Sequence, residues 1–298
     1  MAKKSADHSG GTVAQRIEDA ATRFERAGLF YGHGTHNAYD EAAWLMLHAL
    51  DAAIGALDSR LDQVPAPERV QRFEQLVAQR IEKRIPAAYL IHEAWLGEQR
   101  FYVDERVIVP RSFIAELLAE EFAPWIVDAN KTSAVLDMCT GSGCLAILAA
   151  LTFPNAKVDA VDLSDDALAV AQRNVADYDL QDRVSLIRSD LFRSLPRKQY
   201  DLIISNPPYV DAPSMKALPD EYRHEPAMAL ASGRDGLDAT RTILREAKHY
   251  LANHGLLVVE IGHNRAQLER AFPHLPFTWL EVSAGDEYVF LLEHKQLL

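Results

Sequence analysis

The architecture of this chain is set at Val135-Leu136-Asp137-Met138-Cys139-Thr140-Gly141-Ser142-Gly143-Cys144-Leu145-Ala146-Ile147. The first apolar residues predict a buried strand, the small residues up to Gly143 predict a loop, and the apolar residues that follow predict the start of a helix. Glycines let the backbone approach a ligand closely, and the helix N-terminus lies just beyond them. The stretch therefore predicts a strand, a ligand-binding loop and a helix.

A second strand is predicted about one helix later, at Val158-Asp159-Ala160-Val161-Asp162, and it ends in an acid. Asp162 lies 21 residues after Gly141. An acid at this distance, at the tip of the second strand, is placed to accept hydrogen bonds from ribose hydroxyls. Ser164 is a favourable N-cap for the helix that follows.

The motif Asn206-Pro207-Pro208-Tyr209 follows the apolar run 200–205, which predicts another buried strand. Two prolines cannot continue a helix or lie inside a central strand, so the chain must turn here. The turn falls at the carboxyl end of the strand, where open α/β sheets bind ligands. An amide oxygen, a backbone carbonyl and an aromatic ring together suit a planar NH2 group, since the two oxygens accept its protons and the ring covers its face.

Strands alternate with helices from residue 133 onward, which predicts a mostly parallel sheet with helices on both faces. Strands are predicted near 134–137, 158–162, 184–187, 200–205, 255–260, 278–283 and 287–293, and helices near 143–151, 165–177, 236–252 and 264–271. The last two strands have no helix between them and predict an antiparallel hairpin at the edge of the sheet. The predicted fold class is therefore α/β with seven strands in a mixed sheet.

The first part of the chain has a different pattern. Helical spacing of apolar residues extends over 12–84, period-two spacing over 89–109 predicts a β-hairpin, and a helix is predicted over 112–122. We therefore divide the chain into a helical domain at 1–88, a hairpin linker at 89–110 and an α/β domain at 111–298. The long segment 210–235 predicts a loop that covers the substrate.

Composition excludes several classes of protein. The chain has 298 residues, 48% apolar content and no apolar run long enough to span a membrane. The polar start, Met1 to Gly11, argues against secretion. Its two cysteines, Cys139 and Cys144, flank the glycine loop as small filler residues, and a cytoplasmic location fits. His33 and His36 have no third ligand in view, so no metal site is expected.

The net charge of −12 is unevenly distributed. Residues 1–100 carry 12 basic and 14 acidic side chains, whereas residues 101–298 carry 19 basic and 29 acidic ones. Nucleic-acid binding depends largely on basic surface, which this chain lacks in surplus. An acidic surface attracts a basic protein instead, although the same acidity also serves solubility alone.

Together these motifs resemble a known family. The Asp137-x-x-x-Gly141-x-Gly143 loop, Asp162 and the Asn206–Tyr209 motif are similar to those of S-adenosylmethionine-dependent methyltransferases that modify amide or amino nitrogens. The helical domain, the hairpin and Val109-Pro110-Arg111-Ser112 resemble the glutamine N5-methyltransferases, over nearly the whole chain. The resemblance implies a class I, Rossmann-like methyltransferase domain with S-adenosylmethionine as cofactor.

Two branches of that family are close. Enzymes that modify the Gly-Gly-Gln loop of peptide-chain release factors usually read Pro-Arg-Pro-x-Thr-Glu after the hairpin. This chain reads Pro110-Arg111-Ser112-Phe113-Ile114-Ala115-Glu116, which is more similar to the branch that methylates a glutamine of ribosomal large-subunit protein three. That branch usually has a small residue or proline where Phe113 stands. The alternatives are a release-factor enzyme and an adenine-N6 nucleic-acid methyltransferase, and the charge argues against the second.

The resemblance also implies which residues bind the cofactor. Asp137 would receive the cofactor's ammonium, Asp162 its ribose hydroxyls and Asp190 its adenine amine. The implied cofactor-binding set is Asp137, Thr140, Gly141, Gly143, Asp162, Asp190, Leu191 and Asn206.

The implied catalytic residues are Asn206, Pro207 and Tyr209. The Asn206 oxygen and the Pro207 carbonyl would hold the two amide protons of the substrate glutamine, while Tyr209 stacks on the amide plane. The implied substrate-binding set is Asn206, Pro207, Pro208, Tyr209, Arg111 and Glu116. The implied partner is a basic ribosomal protein, large-subunit protein three.

Overall fold

The computed structural model of the chain describes residues 10–297. Residues 1–9, which form most of the polar start that argues against secretion, lie outside the described residues. The described chain forms two compact units. One extends up to Glu93 and includes Pro219–His224, and the other comprises Ala94–Leu218 and the chain from Glu225 onward. The division predicted from the sequence placed 219–224 with the α/β domain, whereas here this short segment belongs to the helical unit.

The helical unit contains α1 Val13–Arg26, α2 Ala38–Ala49, α3 Pro67–Lys83 and α4 Ala87–Ile91. Thr12 and Gln15 form a capping box that satisfies N–H groups at the start of α1. Phe24, Leu45 and Phe73 are fully buried on these helices. Helix over most of 12–84 is therefore confirmed.

The predicted hairpin over 89–109 was too long. Helix α4 occupies 87–91, and the hairpin consists of β1 Ala94–Leu96 and β2 Gln99–Phe101. Beyond β2 the backbone bonds to side chains instead of a partner strand: the Tyr102 N–H donates to Asn174 Oδ1 and the Val109 N–H donates to Glu225 Oε1. Apolar residues alternate there because the segment packs on other elements.

Seven strands form one mixed sheet in the second unit, in the order β5-β4-β3-β6-β7-β9-β8. Their bounds are β3 Ala134–Met138, β4 Lys157–Asp162, β5 Val184–Arg188, β6 Tyr200–Ser205, β7 Leu251–Glu260, β8 Thr278–Val282 and β9 Gly285–Glu293. Strands β3 to β7 pair in parallel, and β9 pairs antiparallel with β7 and β8. This confirms the predicted class I methyltransferase sheet with its terminal hairpin.

Helices cover both faces of this sheet. Their bounds are α5 Ile114–Ala119, α6 Cys144–Thr152, α7 Asp165–Asp177, α8 Ala212–Ala217, α9 Ala227–Leu230, α10 Asp238–Glu246 and α11 Arg265–Ala271. One apolar core joins α5, α6 and α7 to the first face, and another joins α10 and α11 to the second. Within residues 10–297, no helix has both the length and the apolar character needed to cross a bilayer.

The helix predicted over 236–252 was wrong at its end. Helix α10 ends at Glu246, a short 3-10 turn follows, and β7 already begins at Leu251. Leu251 pairs with Tyr200 across an irregularity in the register of β6 and β7. The exposed polar residues at 253–254 lie at this irregularity, and for that reason the sequence does not read as strand there.

Parallel pairing brings the predicted motifs to one edge. Met138 at the end of β3 is in register with Val161 on β4 and with Ser205 at the end of β6, and Ser205 pairs with Val259 on β7. The chain leaves all four strands at the same edge, where open α/β sheets bind ligands.

Candidate active site

A cavity of about 360 Å³ lies at this carboxyl edge, within the second unit. Six residues predicted to bind cofactor or substrate line it: Gly141, Asp162, Asp190, Leu191, Asn206 and Pro208. Its other walls include residues 106–108, which follow the hairpin, and residues within 226–233, which follow the short segment 219–224. The structure thus places the ends of four strands around one space.

Asp162 lies at the end of β4 and lines the cavity. Its Oδ2 accepts from the Gly141 N–H at 2.9 Å, and its Oδ1 accepts from the Ser164 N–H at 2.9 Å. Burial raises its pKa above the ordinary value. Each oxygen keeps acceptor capacity beyond one hydrogen bond, so the carboxylate can also bind hydroxyls in the cavity.

Asp137 on β3 is fully buried. Its Oδ2 accepts from the Thr140 hydroxyl at 2.5 Å, whereas its Oδ1 has no hydrogen-bond partner among residues 10–297. Burial raises the pKa of Asp137 to about 7. A buried polar atom without a partner needs an explanation, and a cationic ligand at the glycine loop would supply one.

The two glycines of the loop differ. Gly141 (φ +55°) lines the cavity, and a Cβ there would meet nothing within 4 Å. Gly143 (φ +80°) does not line the cavity, and its Cβ would lie 3.1 Å from that of Ala171 on α7. Gly143 therefore permits close packing of α6 on α7, while Gly141 presents backbone to the cavity.

Asp190 and Leu191 follow β5 and both line the cavity. Leu191 has φ +50°, a conformation that is uncommon for a residue with a Cβ. The Asp190 carboxylate pairs with Arg193 at 3.2 Å, and the Asp190 side chain is about half exposed. The two neighbours are thus presented to the cavity at the strand end, as their predicted role requires.

The Asn206–Tyr209 motif begins where β6 ends. The Ser205 hydroxyl donates to the Met138 carbonyl at 2.8 Å, which ties the ends of β6 and β3 together. Asn206 and Pro208 line the cavity, whereas Pro207 and Tyr209 are not part of its lining. Asn206 therefore lines the same cavity as Asp162 and Gly141.

Arg111 and Glu116, both predicted to bind substrate, bond within the second unit. Arg111 forms two hydrogen bonds to the buried Glu225 carboxylate, from Nη1 at 2.5 Å and from Nη2 at 2.7 Å. Glu116 accepts from the Ser283 N–H at 2.8 Å and from the Ser283 hydroxyl at 2.5 Å. Neither lines the cavity, so their predicted role stays a prediction.

Glu225 and Asn174 are site-supporting residues to which sequence reasoning assigned no role. Glu225 directly precedes Pro226, which lines the cavity. It accepts from the N–H of Val109, which directly follows the lining residues 106–108. Asn174 Nδ2 donates to the carbonyls of Tyr102 and Ser142, at 3.0 and 2.8 Å. Both join the segment after the hairpin to elements at the cavity. Their partners lie about 30 to 120 residues away in sequence, beyond any local motif.

Glu260 ends β7 and is buried. Its Oε2 accepts from the Ser112 hydroxyl at 2.7 Å and from the Phe113 N–H at 2.9 Å. Burial raises the pKa of Glu260 to about 7. Ser112, one of the residues that separate the two family branches, thus has a structural partner at the active edge.

The two cysteines and His33 lie in surroundings that do not favour catalysis or metal binding. Burial raises the pKa of the Cys139 and Cys144 thiols, which disfavours the nucleophilic thiolate. His33 packs on the Tyr222 ring in the helical unit, with ring centroids 4.4 Å apart. Over residues 10–297, no three or more His, Cys, Asp or Glu side chains are grouped so that they could hold a metal ion.

A seven-stranded mixed sheet with a glycine loop, Asp162 and Asn206 around one cavity defines the class of this protein as a methyltransferase with the class I fold. The family model described as "Methyltransferase small domain" matches residues 115–221, and the "PrmC N-terminal domain" matches 18–91. The catalytic domain of hMettl16, solved with MAT2A 3′UTR hairpin 6, shares the fold (TM-score 0.51, 16% identity, 76% of this chain and 82% of that one).

Curated relatives are much closer. The ribosomal protein uL3 glutamine methyltransferase of Neisseria meningitidis is 55% identical over 96% of this chain and 94% of that protein. The proteins of the same name from Bordetella pertussis (53%, 96% of both chains) and Burkholderia pseudomallei (52%, 96% and 95%) match similarly. The chain belongs to this family of glutamine methyltransferases. The branch predicted from Pro110-Arg111-Ser112 is confirmed.

Proposed function

We propose that this protein transfers the methyl group of S-adenosylmethionine to the side-chain amide nitrogen, N5, of a glutamine in ribosomal protein uL3. The observation that carries the proposal is that Asn206 lines the same cavity as Asp162 and Gly141. The groups that we assign to the cofactor and to the amide thus lie at one strand edge. The relatives at 52–55% identity supply the identity of the substrate.

The residues at the cavity fit the cofactor, as does the fully buried Asp137, which is not part of the cavity lining. Asp162 has acceptor capacity left for the ribose hydroxyls, and Gly141 offers bare backbone beside it. The unpartnered Oδ1 of Asp137 suits an ammonium group, and a cation nearby would lower the raised pKa of that carboxyl. Asp190 and Leu191 suit the amine and the face of adenine. When bound, the cofactor supplies a methyl group on a positively charged sulfur.

The residues Asn206, Pro207 and Tyr209 position the substrate amide for attack on the methyl group. An amide nitrogen is a poor nucleophile because its lone pair is delocalised into the carbonyl. The Asn206 oxygen and the Pro207 carbonyl accept hydrogen bonds from the two N–H groups of the amide. Tyr209 covers the amide plane and restricts its rotation. Positioning of this kind can contribute several kcal/mol toward a barrier.

The step needs no strong base from the protein. The nitrogen lone pair forms the new C–N bond while the C–S bond breaks and its electrons stay on sulfur. Methylation makes the remaining N–H acidic enough for water to take the proton. This agrees with the raised pKa values of both thiols, since neither is prepared to act as a thiolate.

Arg111, Glu116 and the segment 210–235 have a less direct part in the proposal. Arg111 contributes to the site through Glu225, which fixes the chain next to the cavity wall at Pro226. Glu116 is exposed and bonded to Ser283, so a contact with the substrate protein would form at the surface. The segment 210–235 supplies α9 and the wall at 226–233.

The proposal is tested by supplying labelled S-adenosylmethionine with purified uL3 and purified release factor in parallel. We expect label on a glutamine of uL3 alone. Label on release factor alone would keep the chemistry and overturn the substrate. Asn206→Ala should reduce transfer at least about 1,000-fold while cofactor binding changes little. Asn253→Ala, at an exposed position on β7, is the matched control and should transfer normally.

A further inference from the structure

Tyr209 is fixed by residues far from its own motif. Strands β6 and β7 pair in parallel, and Ser205 is in register with Val259, so the chain that leaves β7 passes beside the chain that leaves β6. This places the residues after Glu260 against Tyr209. Nothing in the four-residue motif itself indicates such a neighbour.

The Tyr209 ring packs directly on Gly262. A Cβ at Gly262 would lie 2.6 Å from Cε2, 2.8 Å from Cδ2 and 3.2 Å from Cζ of that ring. Real Cβ atoms essentially never come closer than 3.0 Å to another heavy atom. The ring can therefore occupy its place only while residue 262 is glycine.

The Tyr209 backbone is fixed as well. Asn264 Nδ2 donates to the Tyr209 carbonyl at 2.7 Å, and Asn264 is buried. A Cβ at Gly236 would lie 2.4 Å from the same carbonyl oxygen and 2.7 Å from Asn264 Nδ2. The carbonyl is thus held between a donor on one chain segment and bare backbone on another.

We propose that Gly262 and Asn264 are positioning residues for methyl transfer, which set the place of the Tyr209 ring over the substrate amide. The inference rests on the proposed function for the role of Tyr209. We call these contacts of Gly262 and Asn264 with Tyr209 the seat of the ring. A fixed ring position matters for the reaction, because a ring that only covers an amide plane acts through its location. A displacement of about 1 Å at such a group can cost on the order of 100-fold in rate.

The main test is Gly262→Ala, with kcat, KM for uL3 and the cofactor Kd measured together. We expect kcat to fall at least about 30-fold while the cofactor Kd changes less than about 3-fold. Gly97→Ala is the matched control because Gly97 has φ +60°, close to the +54° of Gly262, and its Cβ would contact only Gln99 at 3.5 Å. The control carries the same backbone strain and should keep its kcat.

A double-variant cycle separates positioning from general damage. In a Tyr209→Ala background the ring is gone, so Gly262→Ala should cost less than about 3-fold further. An equal loss in both backgrounds would show that Gly262 acts elsewhere and would overturn the proposal. A loss in Gly97→Ala as large as that in Gly262→Ala would also overturn it.

Asn264→Asp removes the donor without changing the shape of the side chain. We expect kcat to fall about 10-fold with the cofactor Kd unchanged, since a hydrogen bond to a buried carbonyl is lost. Asn253→Asp, at an exposed position, is the control. An unchanged kcat in Asn264→Asp would remove Asn264 from the proposal.

A crystal structure of Gly262→Ala keeps this inference separate from the proposed function. If the wild-type protein labels no uL3, the proposed function fails, yet the position of the Tyr209 ring still tests the seat. A ring displaced by about 1 Å or more is expected from the contacts above. A ring in its original place, with alanine at 262, would contradict the seat whatever the activity.

Discussion

The two units bury carboxylates in opposite ways. In the helical unit, Glu41 and Glu221 are buried against the Arg80 guanidinium. Arg80 Nε lies 2.6 Å from Glu41 Oε1, and Arg80 Nη1 lies 3.2 Å from Glu221 Oε1. At the active edge of the second unit, the buried Asp137 accepts from the Thr140 hydroxyl. The buried Glu260 accepts from the Ser112 hydroxyl and the Phe113 N–H. All four carboxylates are buried, but Glu41 and Glu221 lie against a guanidinium, whereas Asp137 and Glu260 accept hydrogen bonds from neutral donors.

The pKa values follow that difference for Glu221 but not for Glu41, whose pKa is raised by burial despite the Arg80 guanidinium. Burial alone would raise the pKa of Glu221, but the Phe30 N–H and the Arg80 guanidinium outweigh it and hold that pKa below its usual value. The pKa values of Asp137 and Glu260 are raised to about 7 because burial dominates there. A buried carboxylate with a raised pKa can respond to a charged ligand, whereas Glu221 is already held ionised by its own partners.

The largest effect is expected from Arg80→Met. It leaves the buried Glu41 without its cation and Glu221 with Arg84 alone, at 3.4 Å. Removing one partner of a buried ion pair typically costs about 3–5 kcal/mol. Hydrogen exchange of α2 and α3 peptides measures the opening free energy of the helical unit directly. We expect that free energy to fall by about 3–5 kcal/mol.

Arg23→Met is the matched control in the same unit. Arg23 pairs with Glu74 at 2.7 Å, but both side chains are about one-third exposed. Pairs of this kind contribute about 0–1 kcal/mol. If the two arginine variants lost equal stability, the contrast between buried and exposed pairs would not hold in this protein.

Glu260→Gln should have the next largest effect, and it depends on pH. The pKa of Glu260 is about 7 in the folded chain against 4.5 ordinarily, so its stabilising contribution is complete below pH 4.5 and is lost as the pH rises through 7. Glutamine does not titrate. The variant should therefore gain about 2–3 kcal/mol relative to wild type between pH 5 and pH 8, at about 1.4 kcal/mol per pKa unit.

Urea unfolding of the cofactor-free protein at four pH values between 5 and 8 gives this slope. Glu98→Gln, on the exposed turn of the hairpin, should keep the wild-type slope. A Glu260→Gln curve parallel to that of wild type would mean that Glu260 does not carry the proton, and it would leave Asp137 as the main titrating group at the active edge.

Sequence alone predicted the parts of this molecule whose signals are local. The loop at 135–147, the acid at 162 and the motif at 206–209 each give strand, turn and chemistry within a few residues. The alternation of strands and helices predicted a mostly parallel sheet with a terminal hairpin, but not the order of its strands. The bonds that hold the site were not predictable in this way. Ser112 and Glu260 are 148 residues apart, and Asn264 is 55 residues from Tyr209. Such pairs exist only once the sheet has formed.

Asp162→Asn tests the carboxylate that faces the cavity. The variant keeps the size of the side chain but replaces one acceptor oxygen with an NH2 group, which cannot accept from a ribose hydroxyl or a backbone N–H. Hydrogen bonds to charged groups contribute about 1.5–3 kcal/mol, so we expect cofactor affinity to fall about 10- to 100-fold. Calorimetric titration with S-adenosylmethionine measures this. An unchanged affinity would remove Asp162 from the cofactor site.

The smallest effect is expected from Glu116→Ala, because Glu116 is an exposed carboxylate and lies outside both buried sets. The variant removes the acceptor for the Ser283 N–H and hydroxyl, which contribute about 1 kcal/mol together at the surface. We therefore expect a small fall in the free energy of unfolding and a KM for uL3 within about 3-fold of wild type. A tenfold rise in KM with little change in stability would show instead that Glu116 contacts the substrate protein, as the family resemblance implies. The two outcomes differ in which quantity moves, so one preparation of the variant decides between them.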